Sequence, residues 1–103
     1  MHTTDTVTVK TAPRQAINTK FLGPTETKPS RVKATTNSGR HSVTISWDHG
    51  LGVDENHEAA ALALIRKMQE FSGAPGWAGE WVGSASSNDG YTFINLGASK
   101  ADD

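Results

Sequence analysis

Arg31-Val32-Lys33-Ala34-Thr35-Thr36-Asn37-Ser38-Gly39-Arg40-His41-Ser42-Val43-Thr44-Ile45-Ser46-Trp47 reads as two extended segments around a turn. In the second segment Val43, Ile45 and Trp47 take alternate positions, and Ser42, Thr44 and Ser46 fill the gaps. One face is therefore apolar and the other carries hydroxyls, the period-two pattern of a half-buried strand. The first segment alternates in the same way, with Val32 and Ala34 inward and Arg31 and Lys33 outward. Asn37-Ser38-Gly39-Arg40 supplies residues that tolerate the positive φ of a tight turn. Strands joined by so short a connection pair antiparallel.

Upstream, Gln15-Ala16-Ile17-Asn18-Thr19-Lys20-Phe21-Leu22 is a further strand, with Ile17, Thr19 and Phe21 on one face and Asn18 and Lys20 on the other. Gly23-Pro24 and Lys28-Pro29-Ser30 punctuate the loop between them. Downstream, 48–52 reads as a loop, and Asp54 as the N-cap of a helix in which Glu55 and Glu58 favour the positive end. Ala61, Leu64, Ile65, Met68 and Phe71 recur at steps of three and four, an amphipathic stripe to about Phe71. Ser72-Gly73-Ala74-Pro75-Gly76 ends it. Strands around Glu80–Ser84 and Tyr91–Asn95 flank the turn Ser87-Asn88-Asp89-Gly90.

The order β-β-β-α-β-β predicts an α+β fold: a single domain with an antiparallel sheet and one helix packed on one face. The other face is left open to water or a partner. The Thr-rich residues 1–13 and the terminal 97–103 are expected to be flexible tails, leaving 14–96 as the folded unit. At 103 residues there is room for one core. With no cysteine, disulfides, thiolate metal sites and thiol catalysis are excluded, as suits a reducing compartment. The first residues lack a signal-peptide pattern, and no stretch has the length of a membrane span. A soluble cytoplasmic protein without a membrane partner is expected.

Charge is divided along the chain. Residues 1–46 carry Lys10, Arg14, Lys20, Lys28, Arg31, Lys33 and Arg40 against Asp5 and Glu26, a net of +5. Residues 47–103 carry three cations against nine acids, a net of −6, so the overall −1 conceals a polarised molecule. Polarisation of this kind marks a surface suited to an anion, and nucleic acid is the commonest large one. Lys20, Lys28, Arg31, Lys33 and Arg40, on one hairpin and its loops, are the candidate nucleic-acid-binding residues, with Asn18, Ser42 and Thr44 as neutral hydrogen-bonding companions. The competing reading is a solvated sheet face whose Lys and Arg deter edge pairing. Tyr91 and Phe93 reach the open face for base stacking only if Ile94 faces the core; the opposite parity, with both rings in the core, is favoured.

Trp47-Asp48-His49, with Asp54, His57 and Glu58 nearby, gathers groups that bind metals or move protons. His49 and His57 are eight residues apart with a loop between them, which matches no metal-ligand spacing. The ordinary reading makes Asp48 a turn residue, Asp54 a cap and His57 a surface residue of the first helical turn. Neither Gly23-Pro24-Thr25 nor Gly50-Leu51-Gly52 has a phosphate-cradling context, and no serine lies in a nucleophile elbow. No enzyme activity, metal or cofactor is expected.

The segment from Gln15 to Thr25, then Ser30-Arg31-Val32-Lys33-Ala34, then Trp47-Asp48-His49, resembles a "TK-x-LGPT … S-R-[VI]-K-A … WDH" pattern. That pattern belongs to a group of short bacterial proteins of unassigned activity borne by phages and plasmids. The resemblance covers about residues 15–68, and the stretch Glu70–Gly79 departs from it as a longer insert. It implies a mobile-element accessory protein, and its pattern concentrates on the basic hairpin. The expectation is therefore a small non-catalytic binding protein that contacts nucleic acid through the basic hairpin face. The alternative is a protein-interaction module, an inhibitor or adaptor of a host protein, engaging through acids such as Glu55, Glu58, Glu70 and Glu80. An exposed sheet edge would equally serve a homodimer.

Overall fold

The computed structural model describes residues 3–4, 7–11, 14–72 and 75–97. Two-residue strands β1 (Thr3–Thr4) and β2 (Val7–Thr8) pair antiparallel with one another, inside the segment expected to be a tail. The main elements are β3 (Ala16–Leu22), β4 (Arg31–Thr36), β5 (Ser42–Ser46), α1 (Val53–Ser72), a 3-10 turn at Pro75–Trp77, β6 (Trp81–Ala85) and β7 (Gly90–Asn95). The rest of the two expected tails, residues 1, 2, 5, 6, 12, 13 and 98–103, lies outside the described residues. No helix among the described residues is long and apolar enough to cross a membrane.

The five strands stand in the order β5-β4-β3-β7-β6, every neighbour antiparallel. Successive strands β5 and β6 are thus at opposite edges, so the chain between them must cross the whole sheet. Four inter-strand spacings amount to about 19 Å, and a 20-residue helix is about 30 Å long. α1 makes the crossing, lying chiefly over β4, β3 and β5. Lys67 Nζ donates to the Ser42 carbonyl at 2.9 Å, tying the helix to the β5 edge.

The core lies between α1 and the sheet. Ile17, Val32, Ala34 and Phe93 rise from the strands to meet Ala60, Ala61, Leu64, Ile65 and Met68. Register follows from the apolar alternation: Ile17 opposes Thr36 and Phe93, Phe21 opposes Val32, and Val32 opposes Ile45. Small residues at 60 and 61 let the helix close onto the sheet. Gly83 opposes Phe93, and a Cβ there would stand 2.3 Å from the Phe93 ring. Only a glycine lets that ring lie across β6. Gly39, at φ 81, closes the β4–β5 turn in the left-handed conformation that the turn requires.

Two sequence expectations are corrected along α1. Phe71, counted in the apolar stripe, is 70 % exposed; the stripe ends at Met68, and the Phe71 ring lies against the His41 ring, 5.0 Å away. Asp54 is not the N-cap. The Asn56 N–H donates to the Gly52 carbonyl at 3.1 Å, which makes Gly52 the cap and Asp54 a first-turn residue. Glu55 Oε1 accepts the Gly52 N–H at 2.9 Å, the carboxylate arm of a capping box.

Asn56 itself is buried and secures the incoming loop. Its Nδ2 donates to the carbonyls of Asp48 and Gly52, each at 3.0 Å, and its Oδ1 accepts the Asp48 N–H at 2.8 Å. A loop folded against a core must find partners for its backbone groups, and one amide side chain satisfies several here. Replacing Asn56 with Ala leaves those groups unpaired and should cost about 3 kcal/mol in urea unfolding. Asn56→Asp should do no better, because it keeps the acceptor but removes both donors.

Candidate functional site

The face of the sheet away from α1 is built by alternation. Where Ile17, Thr19 and Phe21 point to the helix, Asn18 and Lys20 point away, and the same parity turns out Arg31, Lys33 and Thr35 of β4. From β5 come Ser42, Thr44 and Ser46, from β7 Thr92 and Ile94, and from β6 Val82 and Ser84. Lys20 is the direct cross-strand partner of Lys33, which in turn opposes Thr44. Directly opposed residues bring their Cβ atoms to about 5 Å, where like charges repel. Arg31 is two residues from Lys33 on the same face, about 7 Å along the strand. No Asp or Glu occupies any position of β3 to β7. The centre of the face is hydroxyl-rich, with Thr92 Oγ1 bonded to Asn18 Oδ1 at 2.8 Å and to Ser86 Oγ at 3.0 Å.

The remaining two candidate cations separate. Lys28 lies in the β3–β4 loop at the Arg31 end, where its N–H donates to Thr25 Oγ1 at 3.0 Å and its carbonyl accepts from the Thr25 N–H at 2.8 Å. Arg31 Nε donates to the Pro29 carbonyl at 3.1 Å in the same region. Arg40 stands in the β4–β5 turn, at the other end of β4, beside a depression that also involves Arg14, His41 and Trp77. The two loops flanking one strand lie at its opposite ends. Four candidates are therefore grouped and Arg40 is not with them.

Sequence reasoning missed the helix-covered side of the same hairpin. His57, expected on the surface, is 1 % exposed. Its Nδ1 pairs with Thr19 Oγ1 at 2.7 Å, its ring stacks on Tyr91 at 4.4 Å, and Trp47 meets it edge-on at 5.8 Å. Phe21 packs edge-on against Trp47 at 4.9 Å. The Tyr91 hydroxyl donates to the Asp54 carboxylate, which holds the phenol above its ordinary pKa. Tyr91 and Phe93 both face the helix, and Ile94 faces out. The signal was present: His57 lies three and four residues before Ala60 and Ala61, on the extension of the apolar stripe. His49 is exposed in the preceding loop, and among the described residues no three His, Asp or Glu side chains converge as a metal would require.

Burial pushes the His57 imidazole below its ordinary pKa of 6.5, with Asp54 and Asp89 pulling the other way. The folded chain thus holds the neutral ring, and the unfolded chain takes up the proton first. The stability tied to His57 is complete above pH 6.5 and is lost as pH falls through 6.5 toward the lower folded-state value. Unfolding followed between about pH 7.5 and 5.5 should show this loss, and His57→Gln, although less stable throughout, should flatten it.

No family model, curated protein or solved structure matches this chain.

Proposed function

We propose that the chain is a small non-catalytic module that binds nucleic acid through the open face of its sheet. The observation carrying this is the position of the cations. Lysines that merely guard a sheet belong on its edge strands, whereas β3 and β4, which carry Lys20, Arg31 and Lys33, are both interior. The edge strand β5 turns hydroxyls outward instead. Lys20 opposite Lys33 costs folding energy, and no Asp or Glu occupies a strand position of the sheet to offset it. An anion on this face would turn that repulsion into attraction.

Lys20, Lys28, Arg31 and Lys33 would neutralise phosphates, with Asn18, Thr35 and Thr44 adding neutral hydrogen bonds to the backbone. With Tyr91 and Phe93 turned to the helix, the central strands offer no aromatic platform for unstacked bases. Recognition would thus rest on the phosphate backbone, with little sequence preference and no advantage for single strands. A module of this kind suits the accessory role implied by the phage- and plasmid-borne proteins that residues 15–68 resemble.

Four neutralised phosphates give a logarithmic salt slope of about −3.6 in mobility-shift titrations with duplex DNA. The double substitution Lys20→Thr with Lys33→Thr should abolish the shift at low salt and leave the melting temperature unchanged or slightly raised, since a repulsion has been removed. Absence of binding by the unmodified chain at low salt, or binding indifferent to the double substitution, would sink the proposal.

A further inference from the structure

On the side of the sheet away from the cationic face, Phe21, Trp47, His57 and Tyr91 wall a cleft of about 330 Å³, a volume in the range of small-molecule sites. Its lining comes from the end of β3, the residue after β5, the first turns of α1, the last residue of β6, the β6–β7 turn and the start of β7. Phe21 stands at 79° to Trp47, and Trp47 at 81° to His57, so successive rings form corners rather than a stack. Tyr91 then lies nearly parallel to His57, at 24°. Phe21, Trp47 and Tyr91 are all only half-buried, leaving the concavity open. The β6–β7 turn closes one side and brings Asp89 to the mouth, held by a hydrogen bond from the Phe21 N–H to the Asp89 carbonyl at 2.7 Å.

We propose that this cleft binds an alkylated ammonium ion, with Asp89 as its counter-charge. A cation within about 6 Å of several ring centroids is attracted by each quadrupole, and alkyl groups suit it to a partly dry site. Phe21 and Trp47, both half-buried, meet at a near-perpendicular corner with 4.9 Å between centroids, so a single methylated nitrogen seated in that corner can touch both rings. Among the described residues no Lys or Arg lines the cleft. The positive end of α1 points into this region, but Asp54 and Glu55 in its first turn oppose that field. His57 backs the cleft beneath Tyr91, and burial lowers its pKa, so it adds no competing charge. An apolar molecule would fill the same volume but leave the Asp89 carboxylate without a partner of opposite charge.

The distinguishing experiment compares choline chloride with its uncharged isostere 3,3-dimethyl-1-butanol, at matched ionic strength, by two-dimensional NMR on the full chain. Choline should move the Trp47 indole N–H and the Phe21 and Tyr91 signals saturably, with an affinity about tenfold above that of the alcohol. Asp89→Asn, at an exposed turn position, should weaken choline several-fold and leave the alcohol unchanged. Equal affinity for the two probes, no saturable shift with choline, or indifference to Asp89→Asn overturns the proposal. None of these results depends on whether the opposite face binds nucleic acid.

Discussion

One helix has to cross a sheet whose consecutive strands β5 and β6 stand at opposite edges, and the rest of the molecule follows from that crossing. α1 can cover only the face it crosses. Every strand therefore has a covered side that packs and an open side that does not. Alternation along β3 and β4 divides their residues cleanly: Ile17, Val32 and Ala34 go under the helix, and Lys20, Arg31 and Lys33 go out. Three cations of the basic half thus share the open face of the sheet, on two adjacent interior strands.

The covered side is not uniformly apolar. Thr19, Thr36, Asn56, His57 and Asn95 are all buried, and among the described residues no buried side-chain nitrogen or oxygen lacks a partner. Thr36 bonds within its own turn, to Ser38 at 3.2 Å, and the others tie separate segments together. Thr19 and His57 join the central strand to the helix, Asn56 joins the helix to the preceding loop, and Asn95 Nδ2 bonds Gln15 Oε1 at 2.7 Å. A satisfied polar contact specifies register more sharply than a methyl group can, because a slip leaves it unpaired. His57 differs from the others in being titratable, which makes the interior sensitive to acid.

Strand positions and inward parity were legible because alternation is a local pattern; Val43, Ile45 and Trp47 announce a half-buried strand without reference to anything else. The order of strands was not, since it depends on which edge the helix crosses to, and no local pattern records that. Asp54 looked like a cap because carboxylates favour that position, yet Gly52 took it, with Glu55 reaching back. The chain had no need of the Asp54 carboxylate there, and Tyr91 from the far hairpin found it instead. His57 was readable as part of the stripe only by treating a titratable residue as apolar. The grouping of Lys20, Arg31 and Lys33 followed from parity, while Lys28 and Arg40 are placed by the loops they occupy at opposite ends of β4.

The open face of the sheet, with Lys20, Arg31 and Lys33 on its interior strands, is the surface proposed to meet an anion. Amide chemical-shift mapping with a short duplex oligonucleotide tests this most directly. Perturbations are expected at Lys20, Lys33, Thr44 and their neighbours on β3 to β5, graded with concentration, with no comparable change along α1. Perturbations confined to α1 or to the cleft around His57, or no perturbation at low salt, would contradict it.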